Sequence, residues 1–94
     1  MANERTKKQR AFAAATRRFP NFELPIKRLI ETDETFLEIC DELAEAELAL
    51  FAVDDVPAPL QSARRAEWQE LIDRLIGEVA AALRSDASAR HLEP

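Results

Sequence analysis

The chain has 94 residues, with 13 Lys and Arg against 18 Asp and Glu, and carries a net charge of −5 at pH 7. This length accommodates a single domain and excludes a multidomain enzyme. Apolar residues make up 47% of the chain, but 17 of them are alanine, so the hydrophobic core must be small. A single glycine, no tyrosine and abundant Ala, Leu and Glu predict an all-α protein.

One cysteine and one histidine exclude both an internal disulfide and a four-ligand zinc site, and we expect no cofactor. The longest apolar run, from Leu48 to Val53, is far shorter than the roughly 20 residues that cross a bilayer. No apolar segment follows the basic start of the chain, which favours a cytoplasmic protein over a secreted one. A mitochondrial transit peptide is the alternative, although Glu4 and the lack of serine in this segment are atypical of one.

The first predicted helix, residues 4–18, is basic and amphipathic. Phe12, Ala15 and Phe19 recur at helical spacing, and residues 1–30 contain eight Lys and Arg against two Glu. Such a helix is able to lie on another protein, a nucleic acid or an anionic membrane, or to act only as a solubilising terminus. We call residues 1–22 the basic arm. Its predicted interface residues are Arg5, Lys7, Lys8, Arg10, Phe12, Arg17 and Arg18.

The second predicted helix, residues 33–52, is strongly acidic, and Asp33 or Thr32 can cap its start. Ten Asp and Glu but no Lys or Arg occur between residues 31 and 55. Five of these acids recur at spacings of three and four residues and therefore share one side of the helix. They are able to bind a basic partner, imitate a phosphate backbone, collect divalent cations or remain solvated. We call this set the acidic face: Glu34, Glu38, Asp41, Glu42 and Glu45.

The third predicted helix, residues 60–84, follows a breaker cluster that contains Pro57 and Pro59, and has an uninterrupted apolar stripe. Residues 85–94 lack an apolar period and are predicted to form a flexible tail, in which His91 has no partner at a catalytic spacing. The predicted core of the protein consists of Phe36, Cys40, Leu43, Leu50, Trp68, Leu71, Leu75 and Val79.

Cys40 lies within the apolar arc, close to Asp41 and Glu42. These surroundings raise the pKa of a thiol, which favours core packing over a redox or nucleophilic role or an interface thiol. Trp68 lies at the centre of its stripe, which favours the core over an interface anchor. With no Gly-rich phosphate loop and no Ser/His/Asp arrangement, we predict no enzymatic activity.

The short connection between the second and third helices predicts an antiparallel helical hairpin over residues 23–84. Because Glu47 would point into the apolar arc of its helix, where an unpaired carboxylate is costly, we predict an ion pair with Arg64 or Arg65. A turn centred at residues 55 and 56 pairs Leu43 with Trp68, Phe36 with Leu75, and Cys40 with Leu71.

Each hairpin helix has an apolar arc that is wider than a single helix–helix contact covers. Either the basic arm folds back onto the hairpin to give a three-helix monomer, or a second copy supplies the cover. The hairpin by itself buries too little apolar area to offset the entropy of ordering. This consideration favours a homodimer in the form of a four-helix bundle.

The pattern Leu29-x3-Asp33-x2-Phe36-x3-Cys40-x-Glu42 precedes an Ala/Leu run and a Trp-containing amphipathic helix. In this respect residues 24–83 resemble short uncharacterised bacterial helical-hairpin proteins. The resemblance implies a helical hairpin and a bacterial source, and no particular activity.

We therefore predict a non-enzymatic protein interaction or oligomerisation module that acts through apolar helix faces and oppositely charged surfaces. A homodimer is the favoured assembly, and another protein is the next candidate partner. The alternative function is binding of nucleic acid or an anionic membrane surface through the basic arm. The negative charge of the rest of the chain disfavours that alternative, because it repels phosphate groups.

Overall fold

The computed structural model describes the backbone of residues 2–91 and the side chains of residues 4–90. Within this range all regular structure is helical, which confirms the all-α prediction. The elements are α1 (Ala2–Arg18), a short 3₁₀ helix (Pro20–Phe22), α2 (Glu23–Thr32), α3 (Glu34–Phe51), a second 3₁₀ helix that we call the distal turn (Ala52–Asp55), and α4 (Ala58–His91).

A single residue, Asp33, separates α2 from α3. Its side chain accepts a hydrogen bond from the backbone N–H of Phe36 at 3.1 Å and so caps α3, while its own N–H donates to the carbonyl of Leu29 at 2.8 Å. The sequence predicted only a short lead-in before this cap, because Pro25 is a typical helix breaker. Pro25 is the third residue of α2, where an N–H group has no acceptor within the helix, and proline is therefore tolerated.

Helix α4 continues past the predicted end at residue 84 to His91, so most of the predicted flexible tail is helical. Ala87, Ala89 and Arg90 of this segment are good helix formers, and no proline or glycine interrupts it. Asp86 accepts a hydrogen bond from Arg28 of α2 at 2.6 Å and lies 3.5 Å from Arg90 one turn later. These contacts tie the end of α4 to α2. Residues 92–94 of the predicted tail lie outside the described residues.

Helix α3 lies at the centre of the molecule and makes its most extensive contacts with α1 and α4. Helix α2 runs back along α1, and its Glu31 accepts a hydrogen bond from Lys8 at 3.2 Å. Along the contact between α1 and α3, residue numbers increase in the same direction in both helices, because ion pairs join Lys7 to Glu38, Arg10 to Asp41 and Arg17 to Glu47.

Buried side chains between α3 and its two neighbours form two clusters. Helix α1 contributes only alanine to their buried parts, whereas α3 and α4 contribute large side chains. The first cluster comprises Ala11, Ala15, Ile26, Ile30, Phe36, Leu37, Cys40, Val79 and Leu83. The second comprises Ala14, Leu43, Ala44, Ala46, Ile72 and Leu75, with Leu50, Trp68 and Leu71 packed against it while only partly buried.

The predicted register between α3 and α4 is wrong for two of its three apolar pairs, whereas Trp68 packs against the cluster that contains Leu43, as predicted. Cys40 clusters with Val79 rather than with Leu71, and Phe36 belongs to that same cluster instead of lying with Leu75. The distal turn is the cause, because it carries the chain beyond the end of α3 before α4 starts at Ala58. Glu42 shows the shift directly, because it lies 3.8 Å from Arg74, whereas mirror-image counting would place it beside Gln69.

As a result, α4 spans nearly the whole molecule. Its 34 residues correspond to about 51 Å at 1.5 Å per residue, against a longest dimension of 57 Å. The first turns of α4 extend past the last turn of α3, and nearly all their side chains are exposed up to Glu67.

Candidate interaction surface

The basic arm and the acidic face, which the sequence predicted as surfaces for other molecules, bind each other. Lys7 forms an ion pair with Glu38. Arg10 donates to one carboxylate oxygen of Asp41 from both Nε, at 3.1 Å, and Nη2, at 2.7 Å. Asp41 is itself buried, so its charge is compensated by Arg10 rather than by water. Much of the charge on each surface is therefore neutralised within the chain.

These contacts also shift the ionisation of the two cations. The hydrogen bond to Glu38, followed by the attraction of that carboxylate, raises the pKa of Lys7. The hydrogen bond from Arg10 to Asp41 likewise raises the pKa of Arg10. Lysine and arginine are already charged at pH 7, and these contacts extend the charged range of Lys7 and Arg10 to higher pH.

Glu47 lies in the apolar part of α3, as predicted, but its partners differ from the prediction. Its two oxygens accept hydrogen bonds from Arg17 at 2.8 Å and from Arg18 at 3.0 Å, and not from Arg64 or Arg65. Only 17% of the Glu47 side chain is exposed. The basic arm thus supplies the counter-charge that the sequence assigned to α4.

The two arginines of α4 find partners closer to themselves. Arg64 lies 3.4 Å from Glu67 one turn later, and Arg65 lies 3.2 Å from Asp54 in the distal turn. Both occupy the part of α4 that projects past α3, so the shifted register moves them out of reach of Glu47.

The remaining predicted interface residues form longer ion pairs or none. Glu42 lies 3.8 Å from Arg74 of α4. Among the described side chains, Arg5, Glu34 and Glu45 have no oppositely charged partner within 4.0 Å. Phe12 does not extend into solvent as a partner anchor, because it is partly buried against the first core cluster.

Alanine explains how α1 comes so close to α3. Ala11, Ala14 and Ala15 are completely buried, and their small side chains allow the two backbones to approach while the longer basic side chains reach the acids on either side. Lys8 completes this arrangement through Glu31. In the contact that α1 makes with its neighbours, the alanines therefore form a narrow apolar strip, and charged side chains cover a wider area beside it.

The α1-facing side of α3 continues past the point where α1 ends. There Leu48 and Phe51 are exposed to 62% and 88%, the largest values for aromatic or aliphatic side chains of α3. They line a groove of about 800 Å³ whose apolar floor also includes Leu50. We call it the distal groove. Its charged rim is formed by Arg17, Arg18, Glu47, Asp54, Asp55 and Arg65.

Neither Leu48 nor Phe51 belongs to the predicted core, but the sequence did not mark them as exposed. Both share the helical phase of buried residues, so periodicity alone does not mark them as exposed. The relevant signal is the break at Phe19 and Pro20, which ends α1 opposite the start of the last turn of α3. That signal has meaning only once the pairing of α1 with α3 is known.

A second groove, of about 630 Å³, lies between α1 and α2. Phe12, Leu24 and Ile30 form its apolar part, and Lys8 and Lys27 lie at its edge. Leu24 is 76% exposed. Its exposure makes it a useful reference for Phe51, because it belongs to a different element and a different groove.

The predicted core positions divide into two groups. Phe36, Leu43, Leu75 and Val79 are buried, whereas Leu50, Trp68 and Leu71 are partly buried. Cys40 is completely buried, and loss of solvation raises the pKa of its thiol to about 12. The side chain of His91 lies outside the described residues.

The family models, curated proteins and solved structures compared with this chain include none that matches it. Across the described helices, none has a stretch both long and apolar enough to cross a bilayer. Within the same residues, no group of three or more His, Cys, Asp or Glu side chains is placed to hold a metal ion.

Proposed function

We propose that the protein is a small non-enzymatic interaction module that binds another polypeptide, or another copy of itself, through the distal groove. The observation that carries this proposal is the exposure of Phe51. An aromatic side chain that is 88% exposed beside an exposed leucine is costly in water and is typical of interface anchors. Cytoplasmic localisation remains a prediction from the sequence.

In this proposal α3 and α4 form a helical hairpin, as in the bacterial proteins that residues 24–83 resemble, and α1 completes the scaffold. The core residues of α3 that come earlier in the chain cluster with the later core residues of α4, and the reverse, which supports an antiparallel hairpin. Because α1 occupies one face of α3, that face is not free for the four-helix bundle favoured from the sequence. We therefore assign self-association to the distal groove.

The alternative, binding of nucleic acid or an anionic membrane through the basic arm, has less support. Lys7, Lys8, Arg10, Arg17 and Arg18 all have carboxylate partners within the chain. A phosphate group would have to displace those partners. This alternative predicts binding that weakens steeply with ionic strength and that is lost when Lys7 and Lys8 are both replaced by Gln.

Site-specific photocrosslinking tests the proposed function. The photoreactive amino acid p-benzoylphenylalanine is placed at position 51 of the full chain in its native cells, and at position 24 as a matched exposed position. We expect a discrete protein adduct after irradiation from position 51 and not from position 24. No adduct from position 51, or equal adducts from both positions, would contradict the proposal.

A further inference from the structure

The two sides of the distal groove carry opposite charges and come from different elements. On the α1 side, Arg17 and Arg18 share one carboxylate, that of Glu47, which leaves one positive charge in excess. On the side of the distal turn, Asp54 and Asp55 have one described cation, Arg65, which lies 3.2 Å from Asp54 and leaves one negative charge in excess. Leu48 and Phe51, both largely exposed, line the same groove.

We propose that the occupant of the distal groove is the same groove of a second copy of this chain, related to the first by a two-fold axis. This inference rests on the proposed function and specifies its partner. In a two-fold interface each surface patch contacts its own equivalent. If residue i of the first copy meets residue j of the second, then residue j of the first also meets residue i of the second. Such an axis sets Arg17 and Arg18 of each copy against Asp54 and Asp55 of the other.

The charge arrangement discriminates between occupants. A uniformly basic segment would be repelled by the α1 side of the groove, and a uniformly acidic segment by the side of the distal turn. A fitting partner carries both charges in the reverse order around an apolar centre. This chain presents that arrangement when it is turned by 180°.

The apolar centre contributes most of the association energy in this arrangement. Phe51 lies near the two-fold axis, so that the two phenyl rings and the neighbouring Leu48 side chains bury one another. Helix α4 adds Arg65 to the lining of the groove. A dimer interface of ordinary size takes about 800 Å² from each copy, which is a modest fraction of the 6585 Å² surface of this chain.

Sedimentation equilibrium of the full chain, with and without Phe51→Asp, tests the inference. Leu24→Asp is the matched control, because it places the same charge at an exposed leucine outside the groove. We expect a concentration-dependent dimer for the unmodified chain and for Leu24→Asp, and a monomer for Phe51→Asp. Circular dichroism with unchanged helicity shows that both variants are folded. A chain that stays monomeric at every concentration, or a dimer that Phe51→Asp leaves intact, overturns the inference.

A second variant tests the two-fold charge pairing. Asp55→Arg places a cation opposite Arg17 and Arg18 of the other copy. Because of the two-fold symmetry, the substitution occurs twice in the interface. We expect the dimer dissociation constant to rise about fivefold to tenfold at low salt and to approach the original value at high salt. Unchanged or tighter association at low salt overturns the predicted orientation.

The crosslinking experiment separates the two proposals. An adduct from position 51 with the mass of two copies of this chain supports both. An adduct with a different protein, together with a monomeric purified chain, leaves the proposed function standing and overturns the second copy as occupant. The absence of any adduct from position 51 overturns both.

Discussion

Helix α3 makes two interfaces that are held together by different physical interactions. Towards α4 it buries large aliphatic side chains, among them Leu43, Leu75 and Val79. Towards α1 the buried contribution of the partner is Ala11, Ala14 and Ala15, framed by ion pairs. Burial of a large aliphatic side chain stabilises by about 1.5 to 3 kcal/mol, whereas alanine has little apolar surface to bury and a surface ion pair such as that of Lys7 with Glu38 contributes about 0 to 1 kcal/mol. The contact with α4 therefore supplies most of the stability, and the contact with α1 depends on close fit and charge.

The largest expected effect comes from the interface with α4. Leu75 is 2% exposed in the second core cluster. We expect Leu75→Ala to lower the free energy of unfolding by about 2 to 5 kcal/mol, because it removes buried methyl groups and leaves a cavity. Urea unfolding followed by circular dichroism measures this change. Leu24→Ala, at an exposed position, is the control, and equal losses for both variants would contradict the assignment of the main core.

The next largest effect tests how closely α1 packs against α3. Ala14 is completely buried where α1 meets the second cluster. We expect Ala14→Leu to destabilise by about 1 to 3 kcal/mol, because a larger side chain pushes α1 away from α3. Ala66→Leu, at an exposed position of α4, adds the same atoms without burial. Thermal unfolding that shows no difference between the two variants would mean that α1 packs loosely.

Cys40 reports on both interfaces, since its cluster includes residues of α1 and of α4. Its pKa is raised to about 12, so the folded state holds the thiol proton more tightly than the unfolded state does. The contribution of this thiol to the free energy of unfolding is fully present below the pKa of an ordinary thiol. It is lost as the pH rises from there towards 12.

We therefore expect the free energy of unfolding to decrease with alkaline pH more steeply for the unmodified chain than for Cys40→Ala. Equal slopes would show that the thiol is not desolvated in solution. At neutral pH, a thiol reagent should label Cys40 only as fast as the protein opens. Faster labelling in Ala14→Leu than in the unmodified chain would show that movement of α1 exposes the thiol.

The smallest expected effect concerns a single surface ion pair between α1 and α3. Glu38→Gln removes the partner of Lys7; the Glu38 side chain is 56% exposed and that of Lys7 31%. We expect a small loss of stability at low salt that disappears at high salt, because mobile ions screen the pair in the unmodified chain as well. Glu70→Gln, which removes a charge from an exposed position of α4, is the control. A loss that persists at high salt would indicate a contribution beyond charge attraction.

The helices themselves were predictable because their signals are local. Apolar spacing marked α3 and α4, and a cap at Thr32 or Asp33 placed the start of α3 to within a residue; the structure has the cap at Asp33. The separate α2 was missed because Pro25 is a typical helix breaker, although it is tolerated in the first turn. The end of α4 was missed because its own apolar pattern is weak, and tertiary contacts such as that between Arg28 and Asp86 stabilise it.

The charged surfaces show a different limit. Their opposite signs are evident in the sequence, and so is the need of Glu47 for a cation. Which cation it binds depends on the position of α1 and on the register of α4, and neither follows from spacing along one helix. The exposure of Phe51 has the same origin, because it results from where α1 stops beside α3.

The sequence by itself determined the all-α class, the main breaks between helices, a cap at Thr32 or Asp33 and the separation of positive from negative charge. These properties follow from short-range backbone preferences and from side-chain periodicity within a helix. Only the tertiary structure decided the register of α3 against α4, the partners of Glu47 and the exposure of the distal groove. Those depend on how far the distal turn displaces α4 and on how closely the alanines of α1 approach α3, which are distances between segments remote in the chain.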